Sequence, residues 1–350
     1  MEPNHTEHRL LVERKLIMRS ILVVLFLLVG CIAWFIHQYT STVLTNIRGE
    51  AITPMEAGID RSVRDRINRY DNQIKNILLI GIDRNNDPAD PSRSDTMMIL
   101  SVDDQHNSLK LSSLMRDTHV KISGHGTTKL NHAYAYGGVK LLMKTVNTNF
   151  DLDIEDYVMV DFHDMISIIN AVDGIDVDIK ENEIEYINNG IRNLNNLEGT
   201  QIPYVETPGL IHLDGTQATS YARIRSTKGG DYARTERQRL VLKKVYDKVR
   251  TASLVDLPNY IAQLSPFVKT SLTYDEIFDL GLKVLTEEFS IKGTHFPTVN
   301  TSEEISKSEW YIKMDKPATV DELHDYIYRD IPPQNTETFL QQGPSEGQYP

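Results

Sequence analysis

The chain has 350 residues, 40% of them hydrophobic and 25% charged, enough for one sizeable globular core or two smaller ones. Its formal net charge of -12 argues against general nucleic-acid binding, which asks for a basic surface. The single cysteine, Cys31, leaves the rest of the chain to fold without disulfides, as a domain of this size can.

Residues 21–36, ILVVLFLLVGCIAWFI, carry no charge and are extended by neighbours that suit the headgroup zone. A span of about 20 apolar residues crosses a bilayer, so residues 20–39 are expected to form a transmembrane anchor. Arg9, Arg14, Lys15 and Arg19 precede it and only Arg48 follows closely, which orients residues 1–19 toward the cytoplasm and everything after residue 40 outside. The segment IHQYTSTVL offers a poor signal-peptidase site, so the anchor is expected to stay uncleaved.

Residues 40–75 mix charged and apolar positions without a clean period and are expected to form a stalk, with GIDRSVRDRINRYDNQIK as a polar helix. A compact domain is expected over 76–331. NILLIGID (76–83), TMMILSVD (96–103) and SLKLSSLMRD (108–117) read as strands, with DQHN as a turn between the last two. GGVKLLMKTVNTNF has helical spacing, with Leu141, Leu142, Val146 and Phe150 on one side. DYVMVDFHDMISIINAVDGIDVDI reads as strand, helix, turn and strand. Helices follow over about 234–250 and in YDEIFDLGLKVLTEEF. Alternating strands and helices predict an α/β fold, with helices covering a sheet. The polar tail 332–350 is expected to be disordered.

Polar groups gather where strands begin or end, the usual place for sites in such folds: Asp83, Arg93, Asp95 and Arg116. Residues 221–239 hold Arg223, Arg225, Lys228, Arg234, Arg237 and Arg239 against only Asp231 and Glu236. In an extended segment Arg223 and Arg225 point the same way. Asp231, Arg234 and Gln238 share one helical face, and that face continues into Val241, Leu242, Val245 and Val249. Arg237 and Arg239 turn away, as expected of a solvated basic face. Arginine forks match phosphate oxygens, and a cation is needed to reconcile Asp83, Asp95 and Asp231 with an anion. The implied ligand is a pyrophosphate or similar group, clamped by arginine and bridged by Mg²⁺ (or Mn²⁺), which suits phosphoryl transfer. No Walker loop, zinc spacing or serine elbow competes. His132, in KLNHAYAYGG, is a weaker candidate.

NILLIGID…SRSDTMMILSVD, LSSLMRDTHV, KLNHAYAYGG, VDGIDVDI, GLIHLDGTQATSYARIR and GDYARTERQRLVL occur in the order typical of the LytR-CpsA-Psr family, which the stretch 76–245 resembles. Ala233 stands where that family often has glycine. The resemblance implies a three-layer α/β/α fold with a central mixed sheet. It also implies a phosphotransferase on the outer face of Gram-positive-type membranes. Its members move a teichoic acid or capsular glycopolymer from polyprenyl pyrophosphate to the C6 hydroxyl of N-acetylmuramic acid in peptidoglycan. By the same resemblance Asp83 and Asp95 match metal-associated acids. Arg93, Arg116, Arg223, Arg225, Arg234 and Gln238 match pyrophosphate positions, with Arg116 and Arg234 stabilising the transferring group. Asp231 is either a base or a metal support. A prenyl tunnel is implied too, with Ile166, Ile169, Val241 and Val245 as candidate walls. A lipid-pyrophosphate pyrophosphatase, or a non-catalytic polyprenyl-phosphate-binding regulator, fits the same residues.

Overall fold

A computed structural model describes residues 49–70, 74–83, 92–253, 255–306 and 309–334. The expected anchor and the polar tail from residue 335 lie outside the described residues. Among those that are described, no helix is long and apolar enough to cross a membrane.

A six-stranded mixed sheet forms the centre. It contains β1 (Ile74–Asp83), β2 (Arg93–Asp103), β3 (Ser108–Leu114), β6 (Asp156–Asp161), β9 (Lys269–Thr270) and β10 (Ser290–Phe296), in the order β10-β3-β2-β1-β6-β9. β2 runs antiparallel to its neighbours β1 and β3, while β6 lies parallel to β1 and β10 parallel to β3. The two-residue period of β1 sorts its side chains by face. Leu78, Ile80 and Ile82, with Met97 and Ile99 of β2, join one core. Leu79 and Gly81, with Thr96 and Met98, look the other way.

Helices cover both faces. On the first, α2 (His132–Phe150) contributes Leu142, Met143, Val146 and Phe150, and α9 (Lys316–Arg329) contributes Leu323 and Ile327. α2 kinks at Gly137 and Gly138, where Gly138 has a φ of 62° that a side chain would resist. On the second face lie α3 (Phe162–Ala171), α5 (Gly215–Ala222) and α6 (Gly230–Arg250). Beyond them α4 (Glu181–Glu198) and the hairpin of β7 (Ile175–Ile179) and β8 (Gly209–Leu213) close a second core around Ile187, Ile191 and Leu213. The hairpin of β4 (His119–Ile122) and β5 (Gly126–Lys129) precedes α2. α7 (Leu257–Leu264) and α8 (Tyr274–Thr286) pack together, and β11 (Ser302–Ser306) pairs with β12 (Trp310–Met314).

Three expectations shift. From residue 49 the expected stalk lies on the domain: Ala57 and Ile67 are buried in the first core, α1 (Arg61–Ile67) is short, and Asn147 Nδ2 donates to the Ala57 carbonyl at 2.9 Å. β2 begins at Arg93, because pairing with β1 extends past the polar SRSD. α6 begins at Gly230, which brings Asp231 into its first turn, and Ala233 is buried inside it.

Candidate active site

The centre of the site is a break in strand register. Gly81 pairs with Thr96 but Ile82 pairs with Ser94, so Asp95 is an extra residue on β2. Such a bulge bends a strand and re-aims a side chain. Here it brings Asp95 into the same groove as Asp83. Gly81 is required at that point, since a Cβ there would lie 2.8 Å from Thr96 Cβ.

Asp95 receives three arginines. Arg116, just beyond β3, donates from Nη1 to Oδ1 at 2.6 Å. Arg225 donates from Nη2 to Oδ2 at 2.8 Å, and Arg234 donates to the Asp95 carbonyl at 3.1 Å. Burial alone would raise the Asp95 carboxyl, but Arg116 first, then Arg234 and Arg225, outweigh it and hold it below the usual carboxylate range. Arg116 is 17% exposed and also reaches Asp117 and Asp231, each at 3.3 Å. Burial opposes its charge, yet Asp231, Asp95 and Asp117 together raise its pKa. Arg234 is 2% exposed; burial, with Arg116 and Arg225 close by, lowers it to about 10 despite Asp231, so it remains a cation at neutral pH.

Four buried polar atoms of these residues lack a well-directed hydrogen bond: Arg116 Nε, which faces Asp117 Oδ2 at 3.3 Å, Arg234 Nε, Asp231 Oδ1 and Gln238 Oε1. Asp231 Oδ1 lies 3.3 Å from Arg116 Nη2 and 3.0 Å from Arg234 Nη2, close enough for charge attraction but without a directed bond. Orphaned buried groups are costly, and several in one place point to a ligand that completes them.

Two spaces adjoin the cluster. The first is an apolar cavity of about 130 Å³ between the sheet and α3, α5 and α6, with Gln238 and Asp161 among its few polar walls. Val241, one of the four residues named for a prenyl tunnel, lines it. Ile166, Ile169 and Val245 do not; Met165, Phe162 and Leu242 do. Ile169 and Val245 instead pack in the second core, which α3 and α6 also serve. The second space is a polar groove of about 650 Å³ that includes Asp83, Asp95, Arg223 and Arg225.

The remaining candidates sit as follows. Arg223 caps the end of α5 rather than lying in an extended run; its guanidinium stacks 4.6 Å over Phe162 and reaches Asp83 at 3.4 Å. Arg225 follows in the loop, so the two arginines share the groove but not a strand face. Arg93 is exposed and pairs in register with Asp83. His132 Nδ1 is 2.9 Å from Thr128 Oγ1, and burial, followed by Arg93 and Lys129, lowers its pKa.

Arg237 and Arg239 are not solvated: each is 2% exposed. α6 is enclosed on all sides from Tyr232 to Val241, so its polar face also meets protein. Arg237 donates to Glu183 at 2.9 Å, to the Ile224 carbonyl at 3.2 Å and to Thr227 at 2.7 Å. It therefore ties α4 to the loop that carries Arg225. Arg239 donates to Ser113 Oγ of β3 at 2.7 Å. Glu183 leaves one mark in the sequence, its place three residues after Lys180 at a helix start. Asp117, adjacent to Arg116, joins the cluster without a sequence signal of its own.

For a divalent cation, Asp83 and Asp95 are the acids that line the groove; Arg116 and Arg225 hold the two Asp95 oxygens, so a cation there would share them or displace an arginine. No group of three or more histidine, cysteine or acidic residues with metal-binding spacing occurs among the described residues. A two-carboxylate site suits Mg²⁺, which completes its shell with water and phosphate.

The LytR_cpsA_psr family model matches residues 42–325. The chain belongs to this family. A relative from Enterococcus faecalis, named polyisoprenyl-teichoic acid–peptidoglycan teichoic acid transferase TagU, is 36% identical over 64% of this chain and 70% of its own length. A Bacillus cereus protein of the same name is 37% identical over 58% of this chain, and the match spans 62% of that relative. A solved structure described as TagT bound to LIIa-WTA superposes with a TM-score of 0.59 at 25% identity, covering 74% of this chain and 91% of that one. Another, TagT with bound octaprenyl pyrophosphate lipid, has a TM-score of 0.56 at 24% identity over 75% of this chain and 91% of that one, and shares the fold.

Proposed function

We propose that this protein is a membrane-anchored transferase. In this reading it moves an anionic glycopolymer from polyprenyl pyrophosphate to the C6 hydroxyl of N-acetylmuramic acid in peptidoglycan, outside the cell membrane. The observation that carries the proposal is the gathering of Arg116, Arg225 and Arg234 on Asp95 and Asp231, with Gln238 of the same helix as Arg234 lining an apolar cavity. An amphiphile with an anionic head and an apolar tail matches both halves. The names of the TagU relatives, and the lipid in the related TagT fold, point to the same class of ligand.

In this mechanism the pyrophosphate lies on Arg116, Arg225 and Arg234, and its tail enters the cavity past Gln238. Arg223 and Arg225 now face Asp83 and Asp95, and are exposed enough to turn from carboxylate to phosphate. Asp83 and Asp95 would hold Mg²⁺ or Mn²⁺, which would neutralise phosphate charge there. The acceptor hydroxyl attacks the sugar-linked phosphorus, and an oxygen–phosphorus bond forms as the bond to the bridging oxygen breaks. Polyprenyl phosphate leaves, and the hydroxyl proton passes to Asp231. Arg116 and Arg234 are fixed by their carboxylates before substrate arrives, so they stabilise developing charge without rearranging.

The test is reconstitution of the purified protein with a lipid-linked donor and peptidoglycan strands, followed by mass analysis of the product. Polymer-linked product is expected. Free phosphorylated polymer alone would indicate water as acceptor and a pyrophosphatase instead. Bound lipid without turnover would leave only a binding role.

A further inference from the structure

The polar groove has a second wall that this mechanism does not use. One face of α4 builds it from Tyr186, Asn189, Asn193 and Leu197, spaced so that they stack along the helix. Gly190 sets the depth: a Cβ there would lie 2.8 Å from Ser220 Cβ, so its absence lets α4 seat closely on α5.

The asparagines of α4 divide by use. Asn188 exchanges hydrogen bonds with the backbone of Val205, and Asn195 does the same with Ile202, which ties down the loop after the helix. Asn189 and Asn193 have no such duty. Asn189 accepts one exposed bond from Arg192 at 3.1 Å, and Asn193 makes no hydrogen bond among the described residues. Asparagine is a poor helix former, and these two amides, Asn193 exposed and Asn189 partly so, are held by no packing duty and stay open to a ligand in the groove. An amide donates and accepts at once, and a tyrosine offers both a ring face and a hydroxyl. The wall itself carries no charge, which suits the hydroxyl and acetamido groups of a sugar ring better than a phosphate.

Position adds direction. Three elements switch from cavity to groove within one or two residues: Gly81 and Asp83 on β1, Thr96 and Asp95 on β2, Ala222 and Arg223 at the end of α5. The two spaces therefore meet at Asp83, Asp95 and Arg223, next to the arginines that hold Asp95. Displacement at phosphorus runs in line, so a leaving group on the cavity side implies an attacking hydroxyl on the groove side. We propose that the α4 face of the groove is the acceptor subsite, holding the N-acetylhexosamine rings of the glycan strand through Tyr186, Asn189 and Asn193. A groove of about 650 Å³ lies within the usual span of ligand sites, about 300–1,000 Å³.

This inference rests on the transferase reading, and the experiment separates the two. The full-length protein is titrated with a stem-free oligomer of alternating N-acetylglucosamine and N-acetylmuramic acid, and is assayed separately for transfer with varied donor and acceptor. The double variant Asn189→Ala/Asn193→Ala and the single variant Tyr186→Ala are compared with the parent. Alanine favours the helix, so the fold is retained in the double variant. The expected result is oligomer affinity weakened roughly tenfold or more and acceptor KM raised to match, with donor KM unchanged. A raised donor KM with unchanged acceptor KM would assign the groove to the donor sugar and overturn the proposal. Unchanged oligomer binding would also overturn it. If the parent binds the oligomer but transfers nothing, the transferase reading fails while the binding comparison still decides the subsite.

Discussion

Arg116 bridges two carboxylates that come from distant parts of the chain, donating to Asp95 at 2.6 Å and lying 3.3 Å from Asp231. A planar fork can face both acids and still present an edge to phosphate, whereas lysine offers a single point charge. Arg116→Lys should therefore lose most of the activity even though the charge is kept. Removing one stabiliser of transition-state charge costs about 10²–10³ in rate, so Arg116→Ala is expected to lower kcat by at least that factor. Steady-state transfer kinetics check this, and parent-like kcat in Arg116→Ala would remove Arg116 from the mechanism.

Arg237 and Glu183 form a buried pair whose side chains are 3% and 2% exposed. Breaking such a pair from one side strands a charge and costs about 3–5 kcal/mol. Arg237→Met and Glu183→Gln should each show a loss of that order in denaturant unfolding. The double variant Glu183→Leu/Arg237→Met should recover much of it, because neither charge is left alone. Arg237 also braces the Ile224 and Thr227 segment. The recovered double variant should consequently remain slow in transfer while being stable.

Acid should destabilise the domain in a defined window. His295 is buried, and desolvation, followed by the nearby Arg239, holds it down to about 3 from its ordinary 6.5. Its folded pKa is depressed, so the unfolded chain binds the extra proton first. The stability it contributes is complete above 6.5 and is lost as pH falls from there toward 3. Between pH 6.5 and 5 the loss is about 2 kcal/mol from this residue. Asp95, also depressed, adds a further loss at lower pH, below the ordinary carboxylate range. Unfolding free energies measured across pH 5–7.5 should show the first slope in the parent. That slope should be flattened in His295→Gln.

The sequence made the strands legible because β1 and β2 alternate or run apolar over whole elements, and it made the phosphate arginines legible through their local excess in an acidic chain. What it hid depends on enclosure. Arg237 and Arg239 fall on the polar side of α6, and polarity normally means solvent. α6 instead runs between the sheet and α4, so both sides are buried, with Arg237 against Glu183 and Arg239 against the Ser113 hydroxyl. Cavity wall and core could not be told apart in the sequence for a related reason. Ile169 and Met165 are both apolar positions of α3, yet Ile169 enters the second core while Met165 touches that core and also lines the space. The bulge that presents Asp95 leaves no mark in composition or period. It exists only in the pairing of β1 with β2.

Gln238 offers a test of whether the orphaned groups are kept for function. It is 7% exposed, its Oε1 has no partner, and it lines the apolar cavity beside Val241 and Leu242. A buried acceptor left unsatisfied costs about 1–3 kcal/mol, and a leucine of similar size removes that cost while extending the apolar wall. Gln238→Leu should therefore raise unfolding stability by roughly 1 kcal/mol or more. If Gln238 meets the pyrophosphate where the tail begins, the same change should weaken binding of a short polyprenyl pyrophosphate. It should not alter binding of the matching polyprenyl alcohol, which has no phosphate to lose contact with. Denaturant unfolding and lipid titration on one preparation measure both effects. A variant that is stabilised yet binds the pyrophosphate lipid as well as the parent would show that Gln238 serves neither fold nor ligand. A variant that is destabilised would mean that Oε1 is satisfied by ordered water, and the unmet bond would no longer argue for a ligand there.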